Sequence, residues 1–163
     1  MKSKKIQELL NNHFKTNISL GTLYTKFFFE ISKTPLTNLA DYIKDLANDK
    51  LGIHKDKIID FMLSANYELD MLKEVNICNF KNGSSPKEII AEMIKHEKAV
   101  IEEVNKFAEI ALSEKDFEAF EFIQWFVRDG LKDFNEVLFI SELFEQSNDM
   151  LLIDQKIATI LEK

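Results

Sequence analysis

The chain is predicted to be all-α: an antiparallel four-helix bundle with one long crossover and a short fifth C-terminal helix. Three observations predict this. The 163 residues include only 4 Gly and 2 Pro, too few punctuating residues for a fold of many short strands. Apolar residues recur at three- and four-residue steps over long stretches, the period of an amphipathic helix. One stretch without clear period, Asp70 to Ser84, is too long for a tight link between antiparallel neighbours. It reads as a connection crossing the outside of the bundle. The length fits a single domain over 1–163.

The elements follow in order. The first helix is expected from about Lys4 to Ile31. It must stop before Pro35, because the residue before a proline is pushed out of the helical region. The second is expected from about Thr37 to Leu69. Ser85 as N-cap, Pro86 at the first helical position and Glu88 as capping-box partner start the third, which runs to about Leu112. Ser113 with Asp116 gives a second cap-like start, so the fourth helix follows at once and reaches about Gln146. Its apolar stripe is read as Phe120, Ile123, Val127, Leu131, Phe134 and Leu138. Asn148 is the expected cap of a last helix ending near Leu161. Helices of about 28 residues span about 42 Å. The 14 phenylalanines are read as core filling between them.

Composition narrows the function classes. A formal charge of −7 argues against a nucleic-acid backbone as partner and is compatible with cations. No run of about 18 apolar residues exists, so no membrane span is expected. Met1-Lys2-Ser3-Lys4-Lys5 is basic but leads into an amphipathic stretch, so no signal peptide is expected. The single Cys78 excludes an intrachain disulfide, reads as a structural thiol and fits the cytoplasm. There is no glycine-rich phosphate loop and no nucleophile elbow.

The most informative stretch is Phe120-Glu121-Phe122-Ile123-Gln124-Trp125-Phe126-Val127. It resembles the fourth-helix signature of bacterial non-haem ferritins. Leu23-Tyr24, Ile59-Asp60-Phe61-Met62, His96-Glu97, Val104-Asn105 and Leu152-Ile153-Asp154 support the resemblance in the same order and spacing. It covers nearly the whole chain, from about Lys5 to Leu161. It implies a ferritin-like bundle, self-association into a hollow cage of twenty-four copies, and ferrous/ferric iron as the stored ion, with no haem.

The resemblance also implies a di-iron oxidation centre between the four helices, and its positions can be checked one by one. The first-helix glutamate falls on Asn17. The second-helix glutamate falls on Lys50 and its histidine on Ile53. The third-helix glutamate is kept as Glu97, and the fourth-helix glutamine falls on Gly130. No Glu-x-x-His pair stands before His13, His54 or His96. His54 could enter the site only through a one-residue shift. Aligning Ile59-Asp60-Phe61-Met62 requires one extra residue beside Gly52, which would appear as a π-bulge. Lys50 is expected to pair with Glu97 and so occupy the remaining ligand. Gly52 and Gly130 are expected where the backbone is bulged or closely packed.

A second iron cluster of the family, on the cavity side, falls on Asp49, Asp129, Lys132 and Asp133. Asp41, Asp45, Asp49, Asp56 and Asp60 would share an arc of about 100° if the second helix is regular. They read either as a solvated acidic face or as an iron-attracting wall. The candidate metal ligands are therefore Glu97, His54, Asp49, Asp129 and Asp133, and no catalytic residue is assigned. Tyr24 is expected to be buried and hydrogen-bonded, and His13 and His96 to be packing or surface residues. The leading reading is iron storage with ferroxidase activity weak or lost. The alternatives are a ferroxidase with rearranged ligands and a ferritin-fold structural protein that handles no iron.

Overall fold

The structure, a computed structural model, describes residues 2–71 and 80–162. Cys78 lies outside the described residues. Every regular element among the described residues is helical: α1 (Lys4–Ser32), α2 (Thr37–Asp49), a π-helical segment (Lys50–His54), α3 (Lys55–Ser64), α4 (Pro86–Ser113), α5 (Phe117–Gln146) and α6 (Met150–Leu161). The second bundle helix is the continuous run of α2, the π segment and α3. No described helix is long and apolar enough to cross a membrane.

The ends follow from local chemistry. At the start of α4 the Ser85 hydroxyl accepts from the Glu88 amide and the Glu88 carboxylate accepts from the Ser85 amide, the reciprocal box read from the sequence. Asp116, not Ser113, caps α5 by accepting from the Ala119 amide. Asp149, not Asn148, caps α6, with one oxygen accepting from the Leu151 and Leu152 amides. The second helix stops at Ser64, five residues before the expected Leu69. Asn66 turns left-handed at φ 59°, and Tyr67 N–H closes onto the Met62 carbonyl at 2.8 Å. Asn tolerates that conformation better than most side chains, so a Schellman-type stop forms without glycine. Lys115, φ 58°, ends α4 in the same way, with Asp116 N–H on the Ala111 carbonyl at 2.9 Å.

Two apolar clusters set the topology. One joins Leu20–Ile31 of α1, Leu39–Ala47 of α2, Ile89–Met93 of α4 and Val137–Phe144 of α5, with Ile153 and Ile157 of α6. The other joins Ile6–Phe14, Ile58–Met62, Val104–Ala111 and Ala119–Phe126. Residue numbers therefore rise from the first cluster to the second along the second helix and α4, and fall along α1 and α5. The second helix and α4 are parallel, which requires the long crossover. Glu30 of α1 anchors the end of that crossover: it accepts from the Gly83 amide and pairs with Lys26 and Lys33. Gly83 has φ 74°, where a side chain would be strained.

The α5 stripe is rotated from the expected one. The buried face runs through Ala119, Ile123, Phe126, Gly130, Asp133, Val137, Ile140 and Phe144. Leu131 and Leu138 are exposed. The apolar stripe leaves out Gly130, which the ferritin resemblance had placed at the inward site, and Asp133, read from the sequence as cavity-side, is buried on the inward face. Phe29 and Phe117 are likewise exposed rather than core.

At α6, Asp154 is buried and caps α2 from another element. Its two oxygens accept from the Asn38 and Leu39 amides, each at 3.0 Å. Leu36, the N-cap residue of α2, offers no side-chain hydrogen bond, so α6 supplies the acceptor and the negative charge that a helix start favours.

The glycines differ in use. A methyl group at Gly21 would stand 2.5 Å from Leu51 Cγ, so α1 and the π segment meet there at a distance only glycine permits. Gly52, inside the π segment, has open space. Gly130 lies in an unbroken α-helix, and a methyl group there would meet Ile101 Cγ1 at 3.9 Å, ordinary contact; the expected bulge at Gly130 is absent. Gly130→Ala should therefore raise stability by about 1 kcal/mol, while Gly21→Ala should lower it. Urea unfolding of both variants checks this, and a destabilised Gly130→Ala would show closer packing than described.

Candidate functional site

Between the two apolar clusters lies a polar layer. His13, Asn17, Lys50, His54, Glu97 and Asp133 are all buried. All but His13, which lies within the Ile6–Phe14 run, stand at the break between the two apolar runs of their own helix. The π segment delivers two of them. An extra residue in that turn rotates everything after it by about 100°. His54 thereby turns inward and is 5% exposed, while Ile53 is 47% exposed. The one-residue shift expected from the sequence is present. The same rotation shifts Asp56 and Asp60 but keeps them on the face of Asp41, Asp45 and Asp49, widening the arc from about 100° to about 120°. The five aspartates are all exposed.

Lys50 and Glu97 form the first half of the layer. The Lys50 ammonium lies 3.3 Å from Glu97 Oε1, with the side chains 2% and 0% exposed. The Tyr24 hydroxyl donates to the same oxygen at 2.8 Å. Lys50 also sits over the Tyr24 ring, 5.5 Å from its centroid. Glu97 Oε2 has no hydrogen-bond partner among the described residues. Burial works against the ammonium, but Glu97 and then Asp133 outweigh it and hold Lys50 above its ordinary pKa. Burial, reinforced by the Glu97 charge, pushes the Tyr24 phenol well above its usual value.

His54 organises the second half. Asn17 Nδ2 donates to the His13 carbonyl at 2.9 Å, which fixes the amide so that Asn17 Oδ1 faces His54 Nδ1 at 2.8 Å. An oxygen there requires Nδ1 to carry its proton. Nε2 then faces Asp129 Oδ2 at 3.0 Å, and that contact needs a second proton. His54 and Asp129 therefore hold one proton between them. Burial lowers the basicity of His54 and the Asp129 contact opposes this. Burial raises Asp129, but the bond to His54 outweighs it and leaves that carboxyl below its ordinary range. Trp125 and Phe126 stand edge-on to the His54 ring at 5.3 and 5.4 Å.

Asp133 behaves differently. Burial and then the Asp129 charge push its carboxyl up to about 8, against the pull of Lys50. Asp49 sits at the exposed edge, raised by partial burial. Of the sequence-assigned residues, the fold brings His54 and Asp129 into contact and keeps Asp133 and Asp49 within their field. Glu97 is tied to Lys50. Among the described residues, no three His, Cys, Asp or Glu side chains come together closely enough to hold a metal ion. Sequence reading placed His13 as a packing or surface residue. It is buried in the network, edge-on to Phe126 at 4.6 Å, and its only signal was the four-residue step to Asn17. His96 is half-buried and pairs with Glu92 at 3.4 Å.

An inward layer of Tyr, Glu, His and Asp across an antiparallel four-helix bundle with one crossover is the framework of the ferritins. The chain belongs to the ferritin-like family, whose members generally bind iron: the ferritin-like domain matches residues 7–145. It is 35% identical over 164 residues to an uncharacterized protein of Ureaplasma parvum serovar 3, covering 100% of this chain and 95% of the relative. It is 24% identical over 168 residues to a bacterial non-heme ferritin of Campylobacter jejuni, covering 98% and 96%. In fold it matches an M. penetrans ferritin at a TM-score of 0.88, with 23% identity and 97% and 96% of the two chains covered. An open-pore ferritin of Archaeoglobus fulgidus matches at 0.85, with 21% identity and 96% and 98% covered.

Two outcomes follow from the layer. Lys50→Met leaves the Glu97 carboxylate buried without its cation and should cost about 3–5 kcal/mol. Adding Glu97→Gln should recover most of that loss in denaturant unfolding. No recovery would mean that Lys50 does not neutralise Glu97. Asp133 gives a pH test in chelator-treated protein. Its folded value lies above the ordinary aspartate value of about 4, so between about pH 4 and 8 the folded chain keeps a proton that the unfolded chain has lost. Stability should fall across that window as pH rises, by up to about 1.4 kcal/mol per unit. Asp133→Asn should remove this slope, so its gain in melting temperature should be larger at pH 8 than at pH 5. An equal gain at both would refute the assignment.

Proposed function

We propose that this protein is a cytoplasmic iron-storage subunit, one ferritin-like domain over 1–163. It self-associates into a cage, sequesters iron as ferric mineral and has weak or no ferroxidase activity of its own. The observation that carries the reading is the Lys50–Glu97 pair. An ammonium on the carboxylate best placed for a dinuclear site repels a metal cation and occupies its donor. Asn17 and Gly130 stand at two further ligand positions and supply no carboxylate. The donor set does not fit a dinuclear iron centre, and no oxidation step is derived through one.

Iron as cargo meets the wall instead. Asp49, Asp129 and Asp133 are hard oxygen donors of the kind ferrous and ferric ions prefer. Asp49 and Asp129 lie along the second helix and α5, on the face assigned to the cavity of a ferritin cage, and the buried Asp133 stands behind them. Their loose arrangement leaves open coordination positions, which mineral growth needs. Self-association is supported by the exposed apolar run of α6, with Met150 41%, Leu151 68% and Leu152 43% exposed. The net charge of −7 disfavours nucleic acid. The inward turn of His54 favours the alternative, a ferroxidase with rearranged ligands.

Aerobic addition of ferrous iron to the assembled protein tests both. The expected result is slow oxidation with no fast phase saturating at about two irons per subunit, in a particle far heavier than the 19.0 kDa chain. Changing Asp49, Asp129 and Asp133 together to Asn should cut iron loading at equal cage concentration. A fast saturable phase would establish the rearranged ferroxidase. A particle that takes up no iron would leave a purely structural role.

A further inference from the structure

Outside the polar layer, α3 and α5 leave an open groove. Its floor is aromatic: the Phe61 and Phe122 rings stack with centroids 4.4 Å apart, and Trp125 stands edge-on to Phe126 at 4.9 Å. Its walls carry Lys57, Asp60, Glu118 and Glu121. Three carboxylates thus face one ammonium. None of the three takes part in an ion pair among the described residues. Lys57 lies over the indole of Trp125 instead, its nitrogen 4.6 Å from the ring centroid. The molecule therefore already places a cation on the aromatic floor, where the negative face of the ring attracts it. The carboxylates around it leave an unmatched negative charge.

We propose that this groove binds a small organic cation with an apolar body, of the aryl- or alkylammonium class. Its head replaces the Lys57 ammonium over Trp125, and its body covers the Phe61–Phe122 floor. Asp60, Glu118 and Glu121 then supply a field of the right sign. A hydrated metal ion suits the site poorly: the ring faces offer it nothing, and the three wall carboxylates do not come together closely enough among the described residues to hold one. A neutral apolar molecule would cover the floor and leave the carboxylates without a counter-charge. The groove shares Asp60 with the aspartate face read from the sequence, but uses none of Lys50, Glu97, Asp49, Asp129 or Asp133, on which the iron-storage proposal rests.

Trp125 is the only tryptophan of the chain, so its emission reports the groove, and a fixed pH holds the contribution of the neighbouring His54 constant. Benzyltrimethylammonium titrated into the full-length, metal-free assembled protein should change that emission saturably. Benzyl alcohol should bind about fivefold or more weakly, and magnesium should not compete at equal ionic strength. Lys57→Met should tighten binding about fivefold by vacating the ring face. Asp60→Asn with Glu121→Gln should weaken it by a similar factor, and Glu121→Gln alone reads the same effect should the pair fail to fold. The proposal is overturned by the absence of a saturable response, by benzyl alcohol or magnesium matching the cation, or by an affinity that ignores these substitutions.

Discussion

A carboxyl group with no exposure, in the middle of a helical bundle, must have a cation within reach or keep its proton. That constraint organises this molecule. Glu97 fills that place, and Lys50, on the neighbouring helix, answers it at 3.3 Å. In a bundle that holds metal between its helices, the metal meets such a demand. Here a side chain does, and the rest of the layer follows the same accounting. His54 and Asp129 share a proton, and Asp133 holds its own up to about 8. The layer stays close to neutral without an external ion, so apolar clusters can close above and below it. A buried pair of this kind adds little net stability over apolar residues of the same size, yet breaking it is costly. It acts as a fixed registration point between the helices, holding the second helix against α4.

The π segment makes the pairing possible. A regular second helix would carry Ile53, not His54, toward the interior. The extra residue shifts the register and lets Lys50 and His54 both face inward, while Leu51 is pushed onto α1. There Gly21 gives way, because any larger residue would collide with the Leu51 side chain. The strain of an irregular turn is thus met by a glycine on the facing helix rather than by Gly52 within the turn. Side chains in the layer and backbone irregularity beside it form one packing solution.

Much of the bundle was legible in the sequence, and the reason is physical. Ser85-Pro86 with Glu88 is a start signal that acts through its own backbone, so it reads the same in any context. The crossover followed from a stretch too long to be a hairpin link. The Lys50–Glu97 pairing and the shift at His54 were legible because the resemblance fixed which positions face inward. What escaped was set by contacts between elements. Asn66 ends the second helix early through its left-handed turn, and nothing in the apolar period announces it. The inward face of α5 was misplaced because Gly130 and Asp133 belong to it and carry no apolar signal. His13 and the trans cap from Asp154 depend on helices far away in sequence.

A closed interior and an open acidic wall divide the chemistry between them. Rapid oxidation of ferrous iron needs two ions held close together in a preorganised site, and on the reading proposed above the Lys50 ammonium beside Glu97 works against that arrangement. Storage needs less: a confined space and oxygen donors that hold ions without saturating them. On the iron-storage proposal, the Asp side chains at the edge of the layer would meet that need, since their short reach prevents them from closing around one ion. Asp129 stands at the junction, with one oxygen 3.0 Å from His54 and the charges of Asp49 and Lys132 within its field. A cation arriving at the wall would compete with the proton that His54 and Asp129 share. Its binding there would release that proton, and loading at the wall would then be linked to the protonation of the buried layer.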